Sequence, residues 1–190
     1  MPTFRKGPIR AKFWDYSDPG RYFITVITAG RQPILGEILN GKMILSHIGE
    51  IVEEEWYKSF DIRKELFCDI FQMMPDHLHA IVRIECVVIE GVHNQVPDVG
   101  AHGRARLHQV QGEPLKFGVA YRSPKSISSF MAGFKSAATK KINDLRQTPG
   151  QPVWQPRFND RIIRDEEEFQ QKFKYIQKNP ENWQEGERDE

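Results

Sequence analysis

Two histidines one residue apart, His77-Leu78-His79, open a stretch that runs HLHAIVRI to Ile84. Side chains two apart on a strand leave the same face, so both imidazoles project together, and Leu78, Ala80, Val82 and Ile84 form an apolar stripe on the other face. Two imidazoles on one face are a natural start for a divalent-cation site; the plainer reading is a pair of strand histidines. Asp76, just before them, is either a further ligand or part of a turn. Near the C-terminus, Phe169, Phe173 and Ile176 recur at i, i+4 and i+7 as the core stripe of a helix. Tyr175 falls outside that stripe and groups with Glu168, Gln171, Lys172 and Asn179 at spacings of three and four. A tyrosine on a polar helix face is a surface residue or, beside a metal, a nucleophile able to form a covalent intermediate. Asn179, one turn on, offers a carbonyl oxygen. Imidazoles combined with a hard oxygen suit Mg²⁺ or Mn²⁺ better than a closed zinc site.

The elements that must position these residues follow from pattern and punctuation. Residues 18–21 (DPGR) predict a turn, and Tyr22–Ala29, rich in β-branched and aromatic residues, predicts a strand. Ile34–Ile38 and Lys42–Leu45 flank Asn40-Gly41, a strong hairpin signal. Ile48–Glu65 has a helical apolar period, and Leu66–Met73 reads as a strand that Met74-Pro75-Asp76 turns back into His77–Ile84. Residues 86–124, broken by Gly and Pro without sustained periodicity, predict a long loop insertion. Ser126–Leu145 is helical, with a stripe of Phe130, Phe134, Ala137, Ala138 and Ile142. Val153–Phe158 and Arg161–Ile163 read as short extended pieces. Asp165 with Glu168 reads as a capping box that opens a helix to about Lys178, ended by Asn179-Pro180. The order predicts an α+β domain, a mostly antiparallel sheet flanked by helices, with a frayed acidic tail at 184–190.

The chain has 190 residues, the length of one domain, and a net charge of +1. That total conceals segregation. Residues 101–164 carry twelve basic and three acidic residues, net +9, whereas residues 23–100 are net −6 and 165–190 net −5. A basic block of this size suits a polyanionic partner. Cys68 and Cys86 form neither a disulfide framework nor a four-cysteine zinc site. No apolar run is long enough to span a membrane and the first residues lack a signal-type stretch, so the expectation is a cytoplasmic protein without membrane contact.

MMPDHLHAIV, WQPRFNDRIIRDEEEF and KYIQKNPENW, in this order and spacing, resemble the single-tyrosine HUH transposases, and most closely the REP-associated tyrosine transposases. The resemblance covers most of residues 20–183 and fails in the 86–124 insertion. It implies a ferredoxin-like HUH nuclease fold. It also implies a metal-dependent endonuclease and strand transferase acting on single-stranded or hairpin DNA. Tyr175 would then be the catalytic nucleophile, forming a 5′-phosphotyrosine, with His77, His79 and Asn179 as ligands of Mg²⁺ or Mn²⁺. Arg157, Arg161, Arg164, Lys135, Lys140 and Lys141 would track phosphates, Trp154 and Phe158 would stack on bases or pack in the core, and Arg5 and Lys6 would belong to an N-terminal DNA-reading arm. A monomer is implied, with the dimers of the insertion-sequence relatives as the alternative. The chain departs from the family pattern at Asp160-Arg161, where many relatives have Glu-His. Arginine keeps a phosphate-binding group there, but the change also leaves room for a second reading, a hairpin-DNA-binding protein that no longer cuts. A third, an unrelated metal enzyme using Asp76 as a carboxylate ligand, leaves Tyr175 and Asn179 without a role.

Overall fold

A computed structural model describes residues 16–85 and 125–183. The predicted insertion at 86–124, the acidic tail at 184–190, and Arg5 and Lys6 lie outside the described residues. Among the described residues, six strands and three helices follow one another: β1 (Gly20–Ile27), β2 (Gly36–Leu39), β3 (Lys42–Leu45), α1 (His47–Ile62), β4 (Leu66–Met74), β5 (His77–Ile84), α2 (Ile127–Arg146), β6 (Asn159–Ile163) and α3 (Glu166–Lys178). A short 3-10 turn, Ala29–Arg31, follows β1.

β1, β4, β5 and β6 form one sheet in the order β4-β5-β1-β6, antiparallel at every pairing, and β2 and β3 form a separate hairpin around Asn40-Gly41. Without that hairpin the order is βαββαβ, with the first and third strands in the middle of the sheet: the ferredoxin-like arrangement. Each helix starts where its cap residue is: the side chains of Ser46, Ser126 and Asp165 accept hydrogen bonds from the backbone N–H three residues on. At α3 the box is reciprocal in kind, since Glu168 also accepts from the backbone N–H of Arg164.

The period of two divides the sheet into two unequal faces. Tyr22, Ile24 and Val26 of β1 and Leu78, Ala80, Val82 and Ile84 of β5 enter the main core with Val52, Trp56, Phe130, Phe134, Ala138 and Ile142 of α1 and α2. Trp56 is its hub, with Phe60, Phe71, Phe130 and Phe134 ring centroids 4.9–5.5 Å away. The opposite face carries a smaller cluster: Ile81, Ile163 and Ile176, with Phe23, Ile70, Phe169 and Phe173 packed against them. That cluster seats α3 on the sheet by the stripe its sequence predicts.

Three differences from the sequence expectation have tertiary causes. The segment around Trp154 is no strand; it makes one bridge to Thr28, and Trp154 is buried against Phe134. The turn at Ala29–Arg31 puts Gly30 and Arg31 at φ 63° and 54°, in the left-handed region. β4 carries a bulge between Cys68 and Ile70, so Asp69 has no partner in register.

Candidate active site

β5 begins immediately after a two-residue turn, Pro75-Asp76, and Met74 pairs with His77 across it. The turn is pinned from outside. The carbonyl of Asp76 accepts from both the backbone N–H and the hydroxyl of Thr28 at 2.9 Å, and the carbonyl of Pro75 accepts from Leu35 N–H at 3.0 Å. A pinned turn fixes the register of β5 and hence the face that His77 and His79 share.

Both histidines are almost wholly buried, 2% and 3% exposed. Their Nε2 atoms lie 3.1 Å apart. Each Nδ1 meets an oxygen: Asp76 Oδ1 at 2.5 Å for His77, and Thr25 Oγ1 at 2.8 Å for His79. Thr25 reaches His79 because the two residues are direct partners between β1 and β5. Asp76 also receives Arg31 Nη1 at 3.3 Å. Burial, the largest single influence, pushes the Asp76 carboxyl up, but the hydrogen bond and charge of His77 and the charge of Arg31 outweigh it and hold it below its ordinary value.

α3 brings Tyr175 to this pair. Its hydroxyl lies 3.4 Å from His79 Nε2 and its ring is 39% exposed. Phe23 stacks on His79 with centroids 5.4 Å apart and meets the Tyr175 ring edge-on at 6.3 Å. The Lys172 ammonium stands 4.9 Å from the Phe23 centroid and 5.7 Å from that of Tyr175. Trp183, beyond the helix, closes on His77 at 5.8 Å. Asn179 is the C-cap residue of α3, buried, with its amide nitrogen lacking a hydrogen-bond partner among the described residues.

These residues fit a divalent cation in donor type. Two ligands at about 2.1 Å and right angles stand about 3 Å apart, close to the spacing of the two Nε2 atoms. An unsatisfied buried amide one turn from Tyr175 can turn its oxygen toward a cation. Among the described residues no group of three His, Cys, Asp or Glu side chains gathers for a metal.

The remaining predicted residues divide. Arg161 faces the histidine side of the sheet, opposite Phe23, is 59% exposed, and pairs with Glu168 at 2.8 Å. Arg157, Arg164 and Lys140 are exposed, and among the described residues none of the three makes an ion pair. Lys135 is half-buried, donates to the carbonyls of Gln155 (2.6 Å) and Arg157 (3.4 Å), and has its pKa lowered by burial. Lys141 bridges Glu55 (2.6 Å) and Glu54 (3.2 Å) on the α1–α2 side, away from the histidines. Trp154 belongs to the main core, and Phe158, partly buried, packs against it. Thr25, Arg31 and Phe23 are absent from the sequence reading, and Lys172 enters it only as a neighbour of Tyr175 on the polar helix face. Only Thr25 carried a usable signal, its register opposite His79, and that required knowing which strand pairs with β5.

No protein-family model matches the chain. A Haemophilus influenzae protein, described as uncharacterised, is 31% identical over 176 residues, which cover 93% of this chain and 88% of the relative. The chain belongs to that protein's family. Its fold is that of a solved REP-associated tyrosine transposase bound to a REP hairpin, matched with a TM-score of 0.53 at 16% identity over 97% of this chain and 77% of the other. Among the described residues, no helix is long and apolar enough to cross a membrane.

Proposed function

We propose that this chain is a transposase-like DNA strand transferase of the REP-associated tyrosine type, with Tyr175 as nucleophile and single-stranded DNA beside a hairpin as substrate. The observation that carries the reading is the meeting of Tyr175 with the two histidines: a half-exposed phenol 3.4 Å from one of two buried imidazoles whose Nε2 atoms converge. A binding module needs no such arrangement, and a metal enzyme relying on the Asp76 carboxylate finds it occupied by His77 and Arg31.

His77, His79 and Asn179 would hold Mg²⁺ or Mn²⁺, which when bound supplies Lewis-acid polarisation of the scissile phosphate. Tyr175 Oη attacks phosphorus, and the bond from phosphorus to the 3′ oxygen breaks. A 5′-phosphotyrosine and a free 3′-OH result; the phenolic proton leaves to solvent and the departing oxygen takes one up. The phosphodiester energy stays in the covalent bond, so a second 3′-OH can reverse the step and join a new strand. Phe23 and His79 fix the tyrosine ring from one side, leaving its exposed edge for DNA. Arg161, Arg157 and Arg164, on or near the β6 edge, would hold backbone phosphates.

The test is incubation of the full chain with labelled hairpin DNA bearing a single-stranded flank, with Mg²⁺ or Mn²⁺, followed by a denaturing gel. A covalent adduct is expected, abolished by Tyr175→Phe or by chelation and reduced at least tenfold in His77→Ala. Binding without an adduct under any metal would overturn the cutting reading in favour of a binding protein.

A further inference from the structure

We infer that Asp76, braced by Arg31, is a positioning residue that sets how strongly this site holds its cation, by fixing His77 in one ring orientation and one tautomer. The inference rests on the metal-binding reading above and deepens it.

The two imidazoles have unlike supports. Asp76 is 7% exposed and meets His77 Nδ1 at 2.5 Å with one oxygen and Arg31 Nη1 at 3.3 Å with the other. An ionised carboxylate only accepts, so a neutral His77 carries its proton on Nδ1 and leaves Nε2 with its lone pair, the form a metal requires. His79 instead meets the Thr25 hydroxyl at 2.8 Å. A hydroxyl donates or accepts, so it holds the ring in place without choosing its tautomer. His77 is therefore preset and His79 adaptable. A carboxylate behind a ligating histidine also raises the basicity of the ligand nitrogen, and loss of such a partner typically costs 10–100-fold in metal affinity.

Arg31 is brought to Asp76 by the left-handed turn at Gly30 and Arg31. Positioning and folding are separable here, because the Asp76 carbonyl, not its carboxylate, ties β5 to Thr28. Asp76→Asn keeps that carbonyl and the side-chain shape while removing the charge.

The experiment uses the full chain and Mn²⁺ alone, with bound metal read by the loss of the free-ion spin-resonance signal, and the histidine tautomers of the metal-free protein read by ¹⁵N–¹H correlation. Asp76→Asn is expected to weaken Mn²⁺ binding 10–100-fold and to turn the single Nδ1–H form of His77 into a mixture. Arg31→Gln, which leaves the carboxylate in place, is expected to weaken binding by a smaller factor. Wild-type binding matched by Asp76→Asn, with His77 unchanged in the correlation spectrum, would overturn this inference alone. Absence of Mn²⁺ binding by the wild type would overturn both it and the metal reading.

Discussion

Tyr175 is half-exposed because it lies just off the stripe that docks its helix. Ile176, the next residue, is fully buried, and the change of face over one residue turns the phenol along the sheet toward His79 rather than into the core. The histidines are as buried as core residues, and their Nδ1 partners help to make that tolerable. Cys68, half-buried, is the opposite kind of group. Burial pushes its thiol up to about 11, so at pH 8 it is protonated, and the neutral thiol reacts poorly. In a Cys86→Ser background, Cys68 is expected to react with iodoacetamide at pH 8 on the order of 100-fold more slowly in the folded than in the unfolded protein. Equal rates would contradict the burial.

α3 is held by a small cluster separate from the main core, so the site depends on few contacts. Ile176→Ala is expected to cost about 2–5 kcal/mol, measured by urea unfolding, and to cut adduct formation per folded molecule, because Tyr175 loses its seat. Ile142→Ala, of similar chemistry but in the main core, is expected to lower stability while leaving the adduct yield of the folded fraction unchanged. The elements themselves were largely readable. β5 spans the predicted His77–Ile84, the cap at Asp165 starts α3 where the capping signal stands, and α2 starts one residue after the predicted Ser126. Local rules set these: period, caps and the Asn40-Gly41 turn. The Trp154 segment, the turn at Arg31 and the role of Asp76 were not readable, because each depends on what another part of the chain presents: Thr28 to Trp154, Asp76 to Arg31, His77 to Asp76.

Across the molecule, the near-neutral total divides into pairs that hold the fold and cations that are open at the surface. Lys141 shows that sequence charge alone does not tell an open cation from a paired one. The carboxylates of Glu55 and Glu54 engage it across the α1–α2 interface and hold its ammonium above its ordinary pKa. Arg157 and Arg164 lack such partners among the described residues, and Arg161 shares the face of the histidines. Hairpin-DNA binding measured against salt is therefore expected to lose roughly 0.7 in slope for each of Arg157→Ala and Arg164→Ala, if each contacts one phosphate of a single strand. Lys141→Ala is expected to leave the slope unchanged. A slope lowered by Lys141→Ala, with the two arginines silent, would move the DNA to the other side of the sheet.

Covalent joining of Tyr175 to DNA is read by peptide mapping. Lys174 and Lys178 flank the tyrosine, so trypsin releases residues 175–178 as one short peptide. After reaction with hairpin DNA and Mn²⁺ and digestion of the nucleic acid, that peptide is predicted to carry a nucleotide through a phosphate on its tyrosine. A nucleotide on any other residue, or none on this peptide when the DNA has been cut, would contradict the account.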